Sequence, residues 1–383
     1  MVYYLSQWLL DRSQDTAWDD ALSFLRLFRY ISFRAGGAAI TALLLCWWFG
    51  PKIIAWLKRL KFGQNYLDKA EETGLLAARI SKKGTPTMGG IMIVAAMDFS
   101  ALLWAQWNTL VVLTLLSVLV LAGLGFYDDW AKIAQQSNKG TAEHVKLVVQ
   151  FTLAAFIAVY LWRVPATSKL ISDVMVPFYK YPVAIGAVGV VIGLALTVLA
   201  IVGSSNAVNF TDGLDGLAIG CTLIVSFVFV VFTYIAGNYR LAAYLQTPYV
   251  PGAGELTVIC TAMIGAGLGF LWFNCHPAQV FMGDTGSLAL GGALGIMAVL
   301  IHQPLILPIA GGVFVAETVS VMIQRGYFKY TRRKYGQGRR IFLMAPLHHH
   351  FEKKGWHESQ VVARFYILCI LCALVALTTL KIR

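Results

Sequence analysis

Long apolar runs, separated by short charged ones, limit what this chain can become. A run of about 18 or more apolar residues is long enough to cross the hydrocarbon core of a bilayer. Backbone inside lipid must satisfy its own hydrogen bonds, so such runs are expected to be helices. Ten candidate spans are read at 35–57, 88–107, 109–127, 145–162, 183–205, 214–236, 256–273, 287–301, 305–325 and 363–381. The eighth is short and interrupted by Gly291, Gly292 and Gly295. The expected fold is an all-α polytopic integral membrane protein with about ten transmembrane helices. Only 13% of the 383 residues are charged, about half the share usual in a soluble chain. No soluble domain, fixed-period repeat or low-complexity linker interrupts the spans, so residues 1–383 read as a single transmembrane domain. The 1–34 lead lacks the basic start of a signal peptide. It carries Asp11, Asp15, Asp19 and Asp20 instead, and reads as an amphipathic entry to the first span.

Lysine and arginine orient the chain, because cytoplasmic loops are enriched in them. The loops 58–87, 128–144, 206–213, 274–286 and 326–362, with flanking Lys146, Arg325 and Arg364, hold most of the 31 basic residues. This places those five loops in the cytoplasm and both termini in the periplasm. The net charge of +12 would otherwise suggest nucleic acid, but its confinement to membrane-flanking loops argues against that partner and for anionic headgroups of membrane lipid. The six cysteines do not form a disulfide pattern. Cys369 and Cys372 have redox or zinc spacing without a second ligand pair, and read as small apolar residues on a buried helix.

Five aspartates gather at the cytoplasmic ends of the spans. Asp128 and Asp129 close the third, Asp212 and Asp215 open the sixth, and Asp284 precedes the eighth. Ionisable groups near membrane depth are costly and usually functional, and neighbouring carboxylates repel unless a cation or proton intervenes. Three residues apart, Asp212 and Asp215 would share a helix face. Asp128 and Asp129 would point about 100° apart. Helix capping accounts for Asp212 and Asp284 but not for Asp128 and Asp129, which stand at a helix C-terminus where the dipole disfavours anions. A few hard oxygen ligands suit Mg2+ shared with substrate phosphates.

Two further elements surround them. Ser81 to Gly90, which includes Lys82, Lys83 and Thr87, offers lysines, hydroxyls and glycines at the start of the second span, a weak phosphate-binding pattern. Pro346-Leu347-His348-His349-His350-Phe351-Glu352 lacks the further ligands a zinc site needs. It reads as donors for a diphosphate or sugar. Asp98 and Glu317 lie deeper, able to hydrogen-bond between helices or to face a cavity.

Lys83-Gly84-Thr85-Pro86-Thr87-Met88-Gly89-Gly90, Asp128-Asp129, Asn206 through Gly216, Phe281 through Ser287, and Met344 through Glu352 together resemble the phospho-N-acetylmuramoyl-pentapeptide-transferase family, a branch of the polyprenyl-phosphate sugar-1-phosphate transferases. The resemblance implies ten transmembrane helices, a cytoplasmic active-site cleft, Mg2+ and a homodimer. It implies transfer of phospho-MurNAc-pentapeptide from UDP-MurNAc-pentapeptide to undecaprenyl phosphate, giving lipid I and UMP in peptidoglycan synthesis at the bacterial inner membrane. By the same resemblance Asp284 is the metal ligand, and Asp128 and Asp129 serve the polyprenyl-phosphate side. Lys82, Thr87, Asn209, Asp212, Asp215 and Phe281 serve the uridine-diphosphate side, with Asn274, Gly283 and Gln324 as further substrate contacts. His348, with a catalytic role, and His349 and His350 line the same cleft. Two rivals stand beside this reading: a related transferase using a UDP-N-acetylhexosamine, against which the triple histidine argues, and a secondary transporter, whose repeats and midplane charges are not evident.

Overall fold

The computed structural model describes residues 1–13, 19–60, 84–134 and 140–381. Among them there is no β-sheet, only an isolated bridge between Val174 and Ala184. Ten long helices fall at the ten expected spans: α1 (Ile31–Arg59), α2 (Gly90–Trp104), α3 (Thr109–Ala134), α4 (Glu143–Arg163), α5 (Gly186–Thr211), α6 (Leu217–Ala236), α7 (Gly254–Asn274), α8 (Gly283–Leu300), α9 (Gly312–Tyr335) and α10 (Glu358–Thr378). Eight of these are long and apolar enough to cross a membrane. The other two are α2, which is apolar but only 15 residues long, and α9, whose second half is basic and mostly exposed.

The bundle is built around α8. It packs against α3 and α5 and also touches α2 and α6, and every residue from Thr285 to Leu300 is buried. Lipid tails are as apolar as leucine, so helices in a membrane associate through close packing of small residues rather than by escaping water. The eighth span therefore differs from its expectation: Gly291, Gly292 and Gly295 do not interrupt the helix. Gly291 and Gly295 lie directly against the backbone of α5 around Ala200 and Ser204, and the Ser204 hydroxyl donates to the Gly291 carbonyl at 2.6 Å. Gly125 does the same for α3. A side-chain carbon there would overlap the backbone at Asp284, so glycine is what lets α3 reach the first turn of α8.

Two other expectations are corrected. The sixth helix begins at Leu217, not at 214, because Gly216 takes a left-handed conformation (φ 81°) that ends the preceding turn. The ninth span is divided: a short helix, Ile306–Ala310, stops at Gly311, and α9 then runs on past 325 to Tyr335.

The end of the bundle away from the aspartates is closed by a buried ion pair. The Arg34 guanidinium on α1 grips Glu255 on α7 through both nitrogens, at 2.5 and 2.6 Å. Glu255 also accepts from the Gln106 N–H at 2.7 Å. The terminal amine of Met1 donates to Leu102 and Leu103 carbonyls at the end of α2, so the lead lies over this end. Breaking one partner of a buried pair leaves an uncompensated charge and costs on the order of 3–5 kcal/mol. Glu255→Ala should lower the unfolding midpoint of the detergent-solubilised protein by several degrees. Arg34→Met combined with Glu255→Leu should recover most of the loss; equal loss in both variants would refute the account.

Candidate active site

All five aspartates stand at one end of the bundle. Here α3 outlasts its apolar stretch and continues helically to Ala134, so Lys132 returns to the face of Asp128 and Asp129, at i+4 and i+3. The Lys132 ammonium lies 2.6 Å from Asp128 Oδ2 and 3.1 Å from Asp284 Oδ2. Lys146, on the first turn of α4, bridges the same two oxygens at 2.8 and 2.6 Å. Asp128 Oδ1 accepts from the Thr141 N–H at 2.8 Å. Asp284 Oδ1 accepts from the Asn209 amide at 2.9 Å, and that amide also reaches the Ser287 hydroxyl at 2.8 Å.

Asp129 has a different task. Its carboxylate accepts from Asp284 N–H at 3.2 Å, Thr285 N–H at 3.0 Å and the Thr285 hydroxyl at 2.9 Å. It caps the N-terminus of α8, where unpaired N–H groups and the helix dipole favour an anion. Capping does not explain Asp129 on its own helix; it does so across to a neighbouring one.

The loop motifs clasp each other through their backbones. Phe281 N–H donates to Pro86 O at 2.8 Å, Gly89 N–H to Phe281 O at 2.9 Å and Gly90 N–H to Met282 O at 2.8 Å. Thr87 is thereby buried with its hydroxyl against Gly283. Lys82 lies outside the described residues.

Asp212 and Asp215 do not share a helix face, contrary to their spacing. Asp212 ends α5 and Asp215 lies in the turn before α6. The glycines on either side break the helix that a three-residue separation presupposes. The two carboxylates diverge. Asp212 turns toward Asp284 and Asp129, and its carboxyl is pushed up to about 8 by burial first and then by the Asp284 and Asp129 charges, opposed by a hydrogen bond from Gly283 N–H. Asp215 turns to His276, 3.2 Å away, and to Ala278 N–H at 3.1 Å. Asn274 stands beside it, accepting from Gly216 N–H at 3.1 Å and donating to Val280 O at 2.8 Å.

The three histidines separate as well. They occupy a short helix, Leu347–Lys353. His348 is fully buried, with Nδ1 3.3 Å from the buried carboxylate of Glu317 on α9, which also accepts from His348 N–H at 3.1 Å. Its other ring edge lies against Gly213, where a side-chain carbon would overlap Nε2. His348 thus abuts the Asp212–Gly216 turn. His349 pairs with Glu352 at 2.6 Å, and His350 Nδ1 accepts from Leu343 N–H at 3.1 Å. Gln324 accepts from Ile341 and Phe342 N–H at 3.0 Å each and donates to Phe342 O at 3.1 Å. His350 and Gln324 therefore fasten the 341–346 segment.

Lys132, Lys146 and Glu317 were not legible as site residues. The first two count in the sequence as orientation charges, and only the continuation of α3 and the crossing of α4 turn them inward. For Lys132 the signal was available in its i+4 spacing from Asp128.

Asp128, Asp129 and Asp284 each offer an oxygen within 4.8 Å of the others. Among the described residues, two lysines face these three carboxylates, and Asp212 adds a fourth whose carboxyl is pushed up by burial first and by the neighbouring carboxylates second. Hard oxygen donors with residual negative charge fit a divalent cation.

The chain matches known proteins over most of its length. The glycosyl transferase family 4 model matches residues 111–302, and the phospho-N-acetylmuramoyl-pentapeptide-transferase signature 1 matches residues 82–94, the segment that clasps Phe281. A phospho-N-acetylmuramoyl-pentapeptide-transferase of Methylacidiphilum infernorum (isolate V4) is 49% identical over 94% of this chain and 97% of the relative. The chain belongs to the phospho-N-acetylmuramoyl-pentapeptide-transferase family. Relatives of the same name from Opitutus terrae and Syntrophus aciditrophicus are 51% and 47% identical, each over 94% of this chain and 96% of its own length. The lysine-bridged aspartates thus belong to an enzyme of this family.

The raised Asp212 carboxyl gives a signed expectation. Its folded pKa exceeds the ordinary carboxylate value near 4, so its contribution to stability is complete below about 4 and is lost as pH rises through about 8. In divalent-free buffer Asp212→Asn should flatten that part of the stability profile, and Mg2+ should restore stability to the unaltered protein above pH 7. Identical profiles for the two proteins would refute the assignment.

Proposed function

We propose that this enzyme transfers phospho-MurNAc-pentapeptide from its UDP carrier to undecaprenyl phosphate, releasing UMP, at the cytoplasmic face of a bacterial membrane. The observation that carries the reading is the Asp128–Lys132–Lys146–Asp284 cluster at one end of an apolar helix bundle, where a water-soluble diphosphate donor and a lipid phosphate can meet.

Asp284, with Asp128 beside it, would hold Mg2+, and the bound ion would neutralise charge on the donor diphosphate. The chain's own residues do the rest. Lys132 and Lys146 present two ammoniums to phosphate oxygens, and Asn209 fixes the orientation of the Asp284 carboxylate. Phosphoryl transfer depends on this positioning and charge stabilisation rather than on covalent chemistry by the protein. The lipid phosphate is already an anionic nucleophile. Its oxygen attacks the β-phosphorus, the bond to the bridging oxygen breaks, and UMP leaves with that oxygen. Asp128 orients the lipid phosphate and accepts its remaining proton, whose pKa near 6 makes this a small task. His348, held by Glu317 against the Asp212–Gly216 turn, donates to the donor diphosphate or sugar.

UMP release from defined donor and lipid tests this. Asp284→Asn should abolish turnover with folding intact, and His348→Ala should reduce it by about a hundredfold, as expected for one preorganised donor. Withholding lipid should give neither a UMP burst nor labelled protein from radiolabelled donor. A stoichiometric burst with label on Asp128 or Asp129 would instead establish a covalent intermediate. Substrate flux in liposomes without conversion would favour a transporter, and preference for a UDP-N-acetylhexosamine would favour the related transferase.

Orientation has its own test. The basic 326–362 loop is expected in the cytoplasm and both termini outside. A cysteine placed at Gly338 should resist an impermeant reagent in intact cells; ready labelling would invert the topology.

A further inference from the structure

We infer that Asp215, His276 and Glu358 form a second cation site, separate from the aspartate cluster, that takes a transition-metal dication of the zinc class. The three side chains come from three segments: the turn before α6, the loop after α7 and the first residue of α10. His276 Nδ1 lies 3.2 Å from Asp215 Oδ2 and 3.6 Å from Glu358 Oε2, and the three ligand atoms are all within 4.8 Å of one another. Nitrogen and oxygen bonded to zinc at roughly 2.0–2.2 Å in a tetrahedron stand about 3.3–3.6 Å apart. The two measured separations are close to that edge, so an ion needs little rearrangement to enter.

The surroundings orient the ligands as metal sites require. Glu358 Oε1 accepts from Asp215 N–H at 2.8 Å, which presents Oε2 to the histidine. Asp215 Oδ2 is steadied by Ala278 N–H at 3.1 Å, and the His357 ring packs edge-on to His276 at 5.7 Å. The carboxylate side chains are 2% and 8% exposed and the histidine 37%, so the site opens to solvent on the imidazole side.

Donor type separates the two sites. Magnesium prefers oxygen ligands in an octahedron with retained water, which suits Asp128, Asp129 and Asp284. An imidazole joined to two carboxylates suits zinc and its neighbours. Three protein ligands leave a position for water. An ion here clamps the start of α10 to the Asp212–Gly216 turn.

The test uses the full chain in detergent, stripped with chelator and returned to millimolar magnesium, then titrated with zinc against a competing chelator. One zinc per chain should bind over magnesium. His276→Tyr and Glu358→Gln should each weaken it at least tenfold, and Asp284→Asn should leave it unchanged. Cobalt in place of zinc should give tetrahedral visible absorption that His276→Tyr abolishes. Absence of stoichiometric zinc from the unaltered protein would show that the three side chains only pair with one another. Zinc retained in His276→Tyr but lost in Asp284→Asn would place it in the aspartate cluster; either result overturns the proposal.

Discussion

The Asp129 carboxylate leaves the end of one helix and takes hydrogen bonds from the beginning of another, from Asp284 N–H, Thr285 N–H and the Thr285 hydroxyl. A buried helix N-terminus carries unpaired donors and partial positive charge, and a buried carboxylate needs both. This exchange fixes α3 to α8 at the level of the site, and Gly125 makes the approach close enough for it to occur. With that register set, Asp128 and Lys132 fall beside Asp284, and Lys146 completes the cluster from α4. The site therefore depends on the helix junction and the helix junction on the carboxylate.

Charge inside an apolar bundle is tolerated here at its two ends, by different means. At the end away from the aspartates Arg34 and Glu255 neutralise each other directly, and Glu255 ties α1 and α7 to the connection after α2 through Gln106 N–H. At the aspartate end four carboxylates face two lysines among the described residues, and the Asp212 carboxyl is raised by burial first and by its acidic neighbours second. A buried ion pair that is complete serves structure. One that lacks positive charge can take a cation together with an anionic ligand, which is what the proposed transfer between two phosphates requires.

The turn between α5 and α6 divides two chemistries. Asp212 looks toward the lysine-bridged cluster, Asp215 toward an imidazole and a glutamate, and His348 rests on Gly213 between them. A continuous helix would have pointed both aspartates the same way. Gly216, at φ 81°, prevents that helix, so one short turn serves the proposed magnesium and zinc positions together.

The apolar runs by themselves determined that the chain is an all-helical membrane protein, since lipid leaves the backbone no other hydrogen-bond partners, and eight of the helices are long and apolar enough to cross. They determined too that the five aspartates fall at the ends of the runs; Asp98 and Glu317 are the acidic residues left deeper inside them. Thr87, Asn209, Phe281 and Gly283 were named from the family resemblance of the contiguous motifs that hold them. Partners could not be. That Asp129 caps α8, that Glu317 holds His348, that Gly291 and Gly295 pack α8 against α5, and that His276 meets Glu358 are contacts between residues far apart in sequence. Hydropathy has no term for which helix faces which, and Lys132 and Lys146 carry the same letters whether they orient the chain at the lipid surface or pair with a carboxylate in the bundle. Only the crossing of α3, α4 and α8 decided that they do the second, by bringing their ammoniums within ion-pair distance of the Asp128 and Asp284 oxygens.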